Sequence, residues 1–325
     1  MTTEPMPAPV SAPAPDATTE PVAEPPLTPP GARRRAVRLR RDVISYLEWP
    51  AQPAGSGATV LLLHGLQSTA LTMARIGETL SGEGWHVIAP DLPGHGRSFA
   101  LDGWDADRPG QLDVSRLAIL RHRVSRRHRL RTTARVMAEL ASRLELSRPG
   151  VLGHSWGASV AAILPAVGLQ PSALVLVDPP FVTADQARAL GQRMMVAPTT
   201  SYEEARATLL SHRDDWHPLD LAAKAEAVTT VSVRTMVAVV AANVPFDPLP
   251  ALRRVAGRPR SVPVYVIVGG LAEGSFVSPA GRDGLRALLG DDRVLVLEDA
   301  GHSPHRTHHG PFMVLVRQAL GPPSG

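Results

Sequence analysis

The chain of 325 residues contains no cysteine. Disulfides, thiolate nucleophiles and cysteine-ligated metals are therefore excluded, and an intracellular, cytoplasmic setting is expected. Lysine is nearly missing as well: of 34 basic residues only Lys224 is a lysine, so the formal charge of +4 and the pI near 10.2 rest on arginine. Aromatic residues make up 4% of the chain, and no RNP-like or helix-turn-helix pattern accompanies the charge. The basicity is thus no sign of a nucleic-acid partner. No run of 18 apolar residues occurs, and no membrane span is expected. The first thirty residues lack any basic side chain and hold ten prolines and four acids, a composition that cannot bury enough surface to fold. They also lack the charged and apolar regions of a secretory signal. Residues 1–33 are expected to form a disordered Pro/Ala-rich tail.

What is present is organised around Gly153-His154-Ser155-Trp156-Gly157. A serine that must project its hydroxyl from a sharp strand-to-helix turn needs small neighbours, which Gly153 and Gly157 supply, so Ser155 is the candidate nucleophile. Its context agrees: Pro149 to Leu152 is a short apolar run opened by turn residues, and Ala158 to Leu164 is apolar in the manner of a buried helix. Further apolar runs end in His64-Gly65, in Pro90-Asp91 and in Asp178-Pro179-Pro180, and others cover 262–268 and 293–297. Strands apolar throughout, separated by helical stretches, indicate a parallel sheet covered on both faces. Alternation over Arg35 to Trp49 suggests an edge hairpin leading into that sheet.

With His64-Gly65 after one strand, Asp91-Leu92-Pro93-Gly94-His95-Gly96-Arg97-Ser98 after the next, the Gly153 to Gly157 turn, and Gly301-His302-Ser303-Pro304-His305 after the last, the chain resembles the α/β-hydrolase family over roughly residues 35 to 320. The resemblance implies a mostly parallel, doubly wound α/β sheet with an inserted helical lid. The core would be 34–180 and 251–325, and the lid 181–250. Within the lid, Thr183 to Gln186 and Ser201 to Glu204 fit capping boxes, and helices are expected near 219–227 and 231–242. Met194, Met195, Trp216, Met236 and Val239 either line an apolar substrate pocket or pack the lid helices together.

The resemblance also implies chemistry. A neutral serine hydroxyl needs a histidine to take its proton and a carboxylate to hold that histidine. His302 is the base candidate, five residues beyond the last strand. His64 and His95 are read as fixing loop geometry, His154 as pointing away from the pocket, and His305, His308 and His309 as surface residues. The acid is expected to be Glu273, after the strand ending Val268-Gly269-Gly270, with Asp178 as the alternative. Backbone N–H groups of Leu66 and Trp156 would form the oxyanion hole. No cofactor or metal is called for.

The activity so implied is hydrolysis of a small to medium, mostly apolar ester through an acyl-enzyme. The alternatives are carbon-carbon bond hydrolysis of a diketone-like acid and a ligand-binding receptor on the same fold. The partner is a small molecule. The arginines of 116–131 read as a solvated helix face ahead of an anion clamp.

Overall fold

The computed structural model describes residues 28–53, 57–100, 128–187, 189, 201–213, 215–256 and 262–323. Met194 and Met195 lie outside the described residues, as do residues 1–27 of the expected tail and nearly all of the arginine-rich link. Arg33, assigned to that tail, is instead the first residue of a strand.

The expected hairpin is formed by β1 (Arg33–Arg38) and β2 (Asp42–Trp49), paired antiparallel with Arg38 opposite Val43. Next come β3 (Thr59–Leu63), β4 (His86–Pro90), the short β5 (Phe99–Ala100), β6 (Gly150–His154), β7 (Leu174–Val177), β8 (Val264–Gly269) and β9 (Val294–Leu297). They form one sheet in the order β1-β2-β4-β3-β6-β7-β8-β9, with β5 beside β2. From β4 through β9 neighbouring strands run parallel.

The parallel strands are apolar throughout because both faces are covered. On one face Leu61, Leu63, Val151, Leu174, Leu176 and Val266 meet α2 (Leu130–Arg143), α3 (Trp156–Ile163), α7 (Leu249–Ala256) and α8 (Pro279–Leu289). On the other, the alternate residues Val60, Leu62, Leu152, Val175, Val177 and Ile267 meet α1 (Ala74–Gly82) and α10 (His309–Leu320). A leucine buried as completely as Leu62 contributes about 1.5–3 kcal/mol relative to an exposed one.

Between β7 and β8 the chain leaves the sheet for α4 (Tyr202–His212), α5 (Pro218–Thr230) and α6 (Val233–Asn243). Both capping boxes form. The Ser201 side chain accepts from Glu204 N–H while Glu204 returns the bond to Ser201 N–H, and Thr183 and Gln186 do the same at 2.9 and 3.3 Å. Tying α5 to the core, Arg75 on α1 pairs with buried Asp220 at 2.7 Å and Thr69 donates to Glu226 at 2.9 Å. Among the described residues, no single helix is long and apolar enough to cross a membrane.

The sheet reverses its direction of growth at β3, with β4 on one side and β6 on the other. Such a reversal opens a crevice at the carboxyl ends of the flanking strands. His64-Gly65, Ser155 and Asp178 all lie at that edge, at the ends of β3, β6 and β7.

Candidate active site

Ser155 sits between β6 and α3 with φ 53° and ψ −117°, a conformation that L-residues adopt rarely and at a cost. Its neighbours explain how the turn closes. A Cβ on Gly153 would stand 2.3 Å from the carbonyl oxygen of Gly157, and one on Gly157 would stand 2.2 Å from that of Leu63. Backbone meets backbone at both positions, so the small residues expected from the sequence are sterically required.

His302 lies in the loop between β9 and α9 (Pro304–Thr307), with its Nε2 2.9 Å from Ser155 Oγ and its Nδ1 2.6 Å from Asp178 Oδ2. The second contact corrects the expectation for the acid. Glu273 is exposed, in a turn where its N–H bonds back to the Gly270 carbonyl at 3.2 Å. That turn is pressed against the His302 loop through backbone: a Cβ on Gly301 would meet the Glu273 carbonyl oxygen at 2.2 Å, and one on Gly270 the Glu298 carbonyl oxygen at 1.9 Å. What reaches His302 is Asp178, directly at the end of β7.

The turn after β8 serves Asp178 instead of supplying the acid. Ser275 Oγ donates to Oδ1 at 2.5 Å, Phe276 N–H to Oδ2 at 2.9 Å and Gly269 N–H to Oδ1 at 3.2 Å. Asp178 is fully buried and adopts φ 42°. Burial alone would raise its carboxyl, but the bonds from His302, Ser275 and Phe276 outweigh it and hold the group below the usual carboxylate range. With Asp178 ionised, His302 carries its proton on Nδ1 and leaves Nε2 free to accept from Ser155. Ser275 escaped sequence reasoning because nothing local marks it. A serine placed to bond a carboxylate 97 residues away is visible only in the fold.

The N–H of Trp156 opens α3 and, as a first-turn donor, has no helical acceptor. On the β3 side two histidines shape the loop, in agreement with the sequence reading. Leu92 N–H donates to His64 Nε2 at 2.9 Å, so His64 carries its hydrogen on Nδ1, which donates to the Gly65 carbonyl at 2.8 Å. Burial keeps that ring neutral, pushing its pKa well below the usual histidine value. The Gly65 carbonyl and the Leu66 N–H belong to one planar trans peptide, so His64 fixes the direction of the Leu66 donor. His95 then donates from Nε2 to the Leu66 carbonyl at 2.6 Å.

The remaining histidines are placed differently than expected. His154 donates from Nε2 to the His302 carbonyl at 2.7 Å, so it steadies the catalytic-side loop. His305, read as a surface residue, is 2% exposed and stacks edge-on against His154 with centroids 4.6 Å apart. His308 and His309 are half-buried.

A model of the alpha/beta hydrolase family matches residues 60–313, well over half of the chain. The chain belongs to the α/β-hydrolase family. Among curated relatives, an uncharacterized protein of Mycobacterium tuberculosis is 34% identical over 108 residues, which are 33% of this chain and 25% of that protein. An epoxide hydrolase of Caballeronia sordidicola is 30% identical over 107 residues, 33% of this chain and 26% of the other. The matched stretch thus spans about a quarter of the curated relatives' length. Among solved structures, E-2-(acetamidomethylene)succinate hydrolase superposes with a TM-score of 0.65 at 20% identity, covering 89% of this chain and 99% of that one. That is a likeness of fold.

In this α/β hydrolase, Ser155 and His302 open into a cavity of about 210 Å³ that Leu66 and Trp156 also line. Its walls are mainly apolar, with Pro180, Val182, Val240, Phe246 and Phe276 around the serine. Met236 and Val239, expected as wall candidates, are buried away from it, and the neighbouring Val240 takes that place. Trp216 also packs outside the wall, beneath Arg306 with its ring 5.0 Å from the guanidinium.

Proposed function

We propose that this protein is a serine hydrolase acting on a small, largely apolar ester through an acyl-enzyme, with the helical insertion of 181–250 as its lid. The observation that carries this reading is the unbroken hydrogen-bonded chain from Ser155 through His302 to Asp178. Ser155 Oγ attacks the carbonyl carbon and its proton passes to His302 Nε2. The imidazolium so formed is stabilised by buried Asp178, and the N–H groups of Leu66 and Trp156 face the developing oxyanion. His302 returns the proton to the leaving oxygen, then takes one from the water that hydrolyses the acyl-enzyme. A cavity of about 210 Å³ lies below the range of roughly 300–1,000 Å³ usual for drug-sized ligands, which favours a small acyl group.

Epoxide opening is disfavoured because, with Ser155 at the turn, there is no carboxylate there to attack the ring and form an ester intermediate. A fluorophosphonate probe tests the reading: it should label the wild type and spare Ser155→Ala. Equal labelling of both would remove Ser155 as nucleophile.

A further inference from the structure

The same cavity that holds Ser155 and His302 is also lined by Lys224 and Arg306, and no carboxylate is among its described lining residues. Arg306, on the short α9 just beyond His302, is 5% exposed, and its Nε and Nη2 have no hydrogen-bond partner among the described residues. The nearest compensating charge, Asp220, is already engaged by Arg75 at 2.7 Å. Among the described residues Lys224 on α5 donates to neutral oxygens, the Gln67 carbonyl at 2.6 Å and the Gln67 side chain at 3.3 Å. Two cationic side chains therefore line a largely apolar cavity in which no anion meets them among the described residues. Burying charge in that way is costly unless it is paired.

We propose that Arg306 and Lys224 form an anion subsite for a carboxylate carried by the substrate, so that the molecule cleaved at Ser155 is an ester bearing a free acid. This rests on the hydrolase reading above and deepens it. Arginine offers a planar fork to a carboxylate, and the Arg306 guanidinium lies 5.0 Å from the Trp216 ring centroid with Nε and Nη2 buried and unpartnered among the described residues. Lys224 adds a single compact charge beside Gln67, the residue that follows the oxyanion donor Leu66 in sequence. Burial, with Arg306 nearby, pulls the Lys224 ammonium down to about 7, so near neutral pH the pair carries between one and two positive charges. That matches a monoanionic carboxylate better than a phosphate dianion.

The test uses matched pairs at pH 6.5: mono-p-nitrophenyl glutarate against its methyl ester, and 4-acetoxybenzoate against its methyl ester. The first pair places the carboxylate on the acyl side and the second on the leaving group. The wild type should favour the acid of at least one pair by tenfold or more in kcat/KM. Arg306→Gln and Lys224→Gln should each cut that preference at least fivefold, while Arg306→Lys restores part of it. Equal or lower kcat/KM for both acids in the wild type overturns the proposal, as does a preference that survives both Gln variants. Calorimetric titration of Ser155→Ala with glutarate separates the two readings. Glutarate binding that disappears in Arg306→Gln supports the subsite whether or not Ser155 is the nucleophile. Probe labelling of Ser155 with no glutarate binding refutes the subsite and leaves the hydrolase intact. Inorganic phosphate competing as well as glutarate at pH 8, where both are mainly dianions, would overturn the choice of carboxylate.

Discussion

Asp178 terminates β7 in a left-handed conformation, and four donors converge on its two oxygens. A carboxylate satisfied in this way orients His302 and, in the proposed mechanism, stabilises the imidazolium. Replacing it with the isosteric amide keeps the shape and removes the charge. Asp178→Asn is therefore expected to lower kcat on p-nitrophenyl acetate by about 10⁴-fold, while Glu273→Gln stays within about twofold. Steady-state kinetics on the two variants decides between the carboxylates. Ser155 and His302 were legible in the sequence because each occupies a pattern with a local steric reason, the glycine-flanked turn and the Gly-His after the last strand. The acid was not legible to the same degree. Whether a carboxylate after β7 or one after β8 reaches the histidine depends on how the turn at 270–274 folds back, and that is set by backbone contacts with residues 298–301.

Among the elements, α5 is held to the core by three side-chain contacts. Asp220 meets Arg75, Lys224 meets Gln67 and Glu226 meets Thr69. Arg75→Met would leave Asp220, 3% exposed, without its guanidinium. Urea denaturation should show a loss of about 3 kcal/mol at neutral pH. Arg75→Met combined with Asp220→Leu should recover most of it, since the penalty lies in the stranded charge. The loss should also shrink toward pH 4, because burial raises the Asp220 carboxyl and a protonated group needs no partner. The start of α4 in this insertion was readable from Ser201 and Glu204, whose capping box is a local four-residue pattern. Its attachment points were not, since Arg75 and Asp220 stand 145 residues apart and nothing in either neighbourhood names the other.

For the molecule as a whole, the reversal of strand order at β3 places the ends of β3, β6 and β7 around one crevice, and the parallel sheet was predictable from strands apolar on both faces. The electrostatic cost of the crevice was not predictable, because Lys224 and Arg306 meet only in three dimensions. That cost has a definite pH dependence. In the unfolded chain Lys224 keeps its proton up to its ordinary value of 10.5, whereas the folded protein releases it near 7, facing Arg306, His154 and Gln67. Between those values the unfolded state binds the extra proton, so the penalty grows as pH falls from 10.5 to 7 and is constant below. Lys224→Met should therefore raise Tm by several degrees at pH 6 and by less than half as much at pH 9, as thermal melts at the two pH values would reveal.

The turn that follows β8 is fixed through its backbone, by Gly270 against Glu298 and the Glu273 carbonyl against Gly301, and by Ser275 and the Phe276 N–H on Asp178, while the Leu271 and Glu273 side chains face solvent. With Asp178 as the acid of the proposed mechanism, the side chains of residues 271–273 take no part in it. Leu271 and Glu273 are thus positions where side chains can be exchanged while the backbone contacts that keep Asp178 and His302 in register are retained.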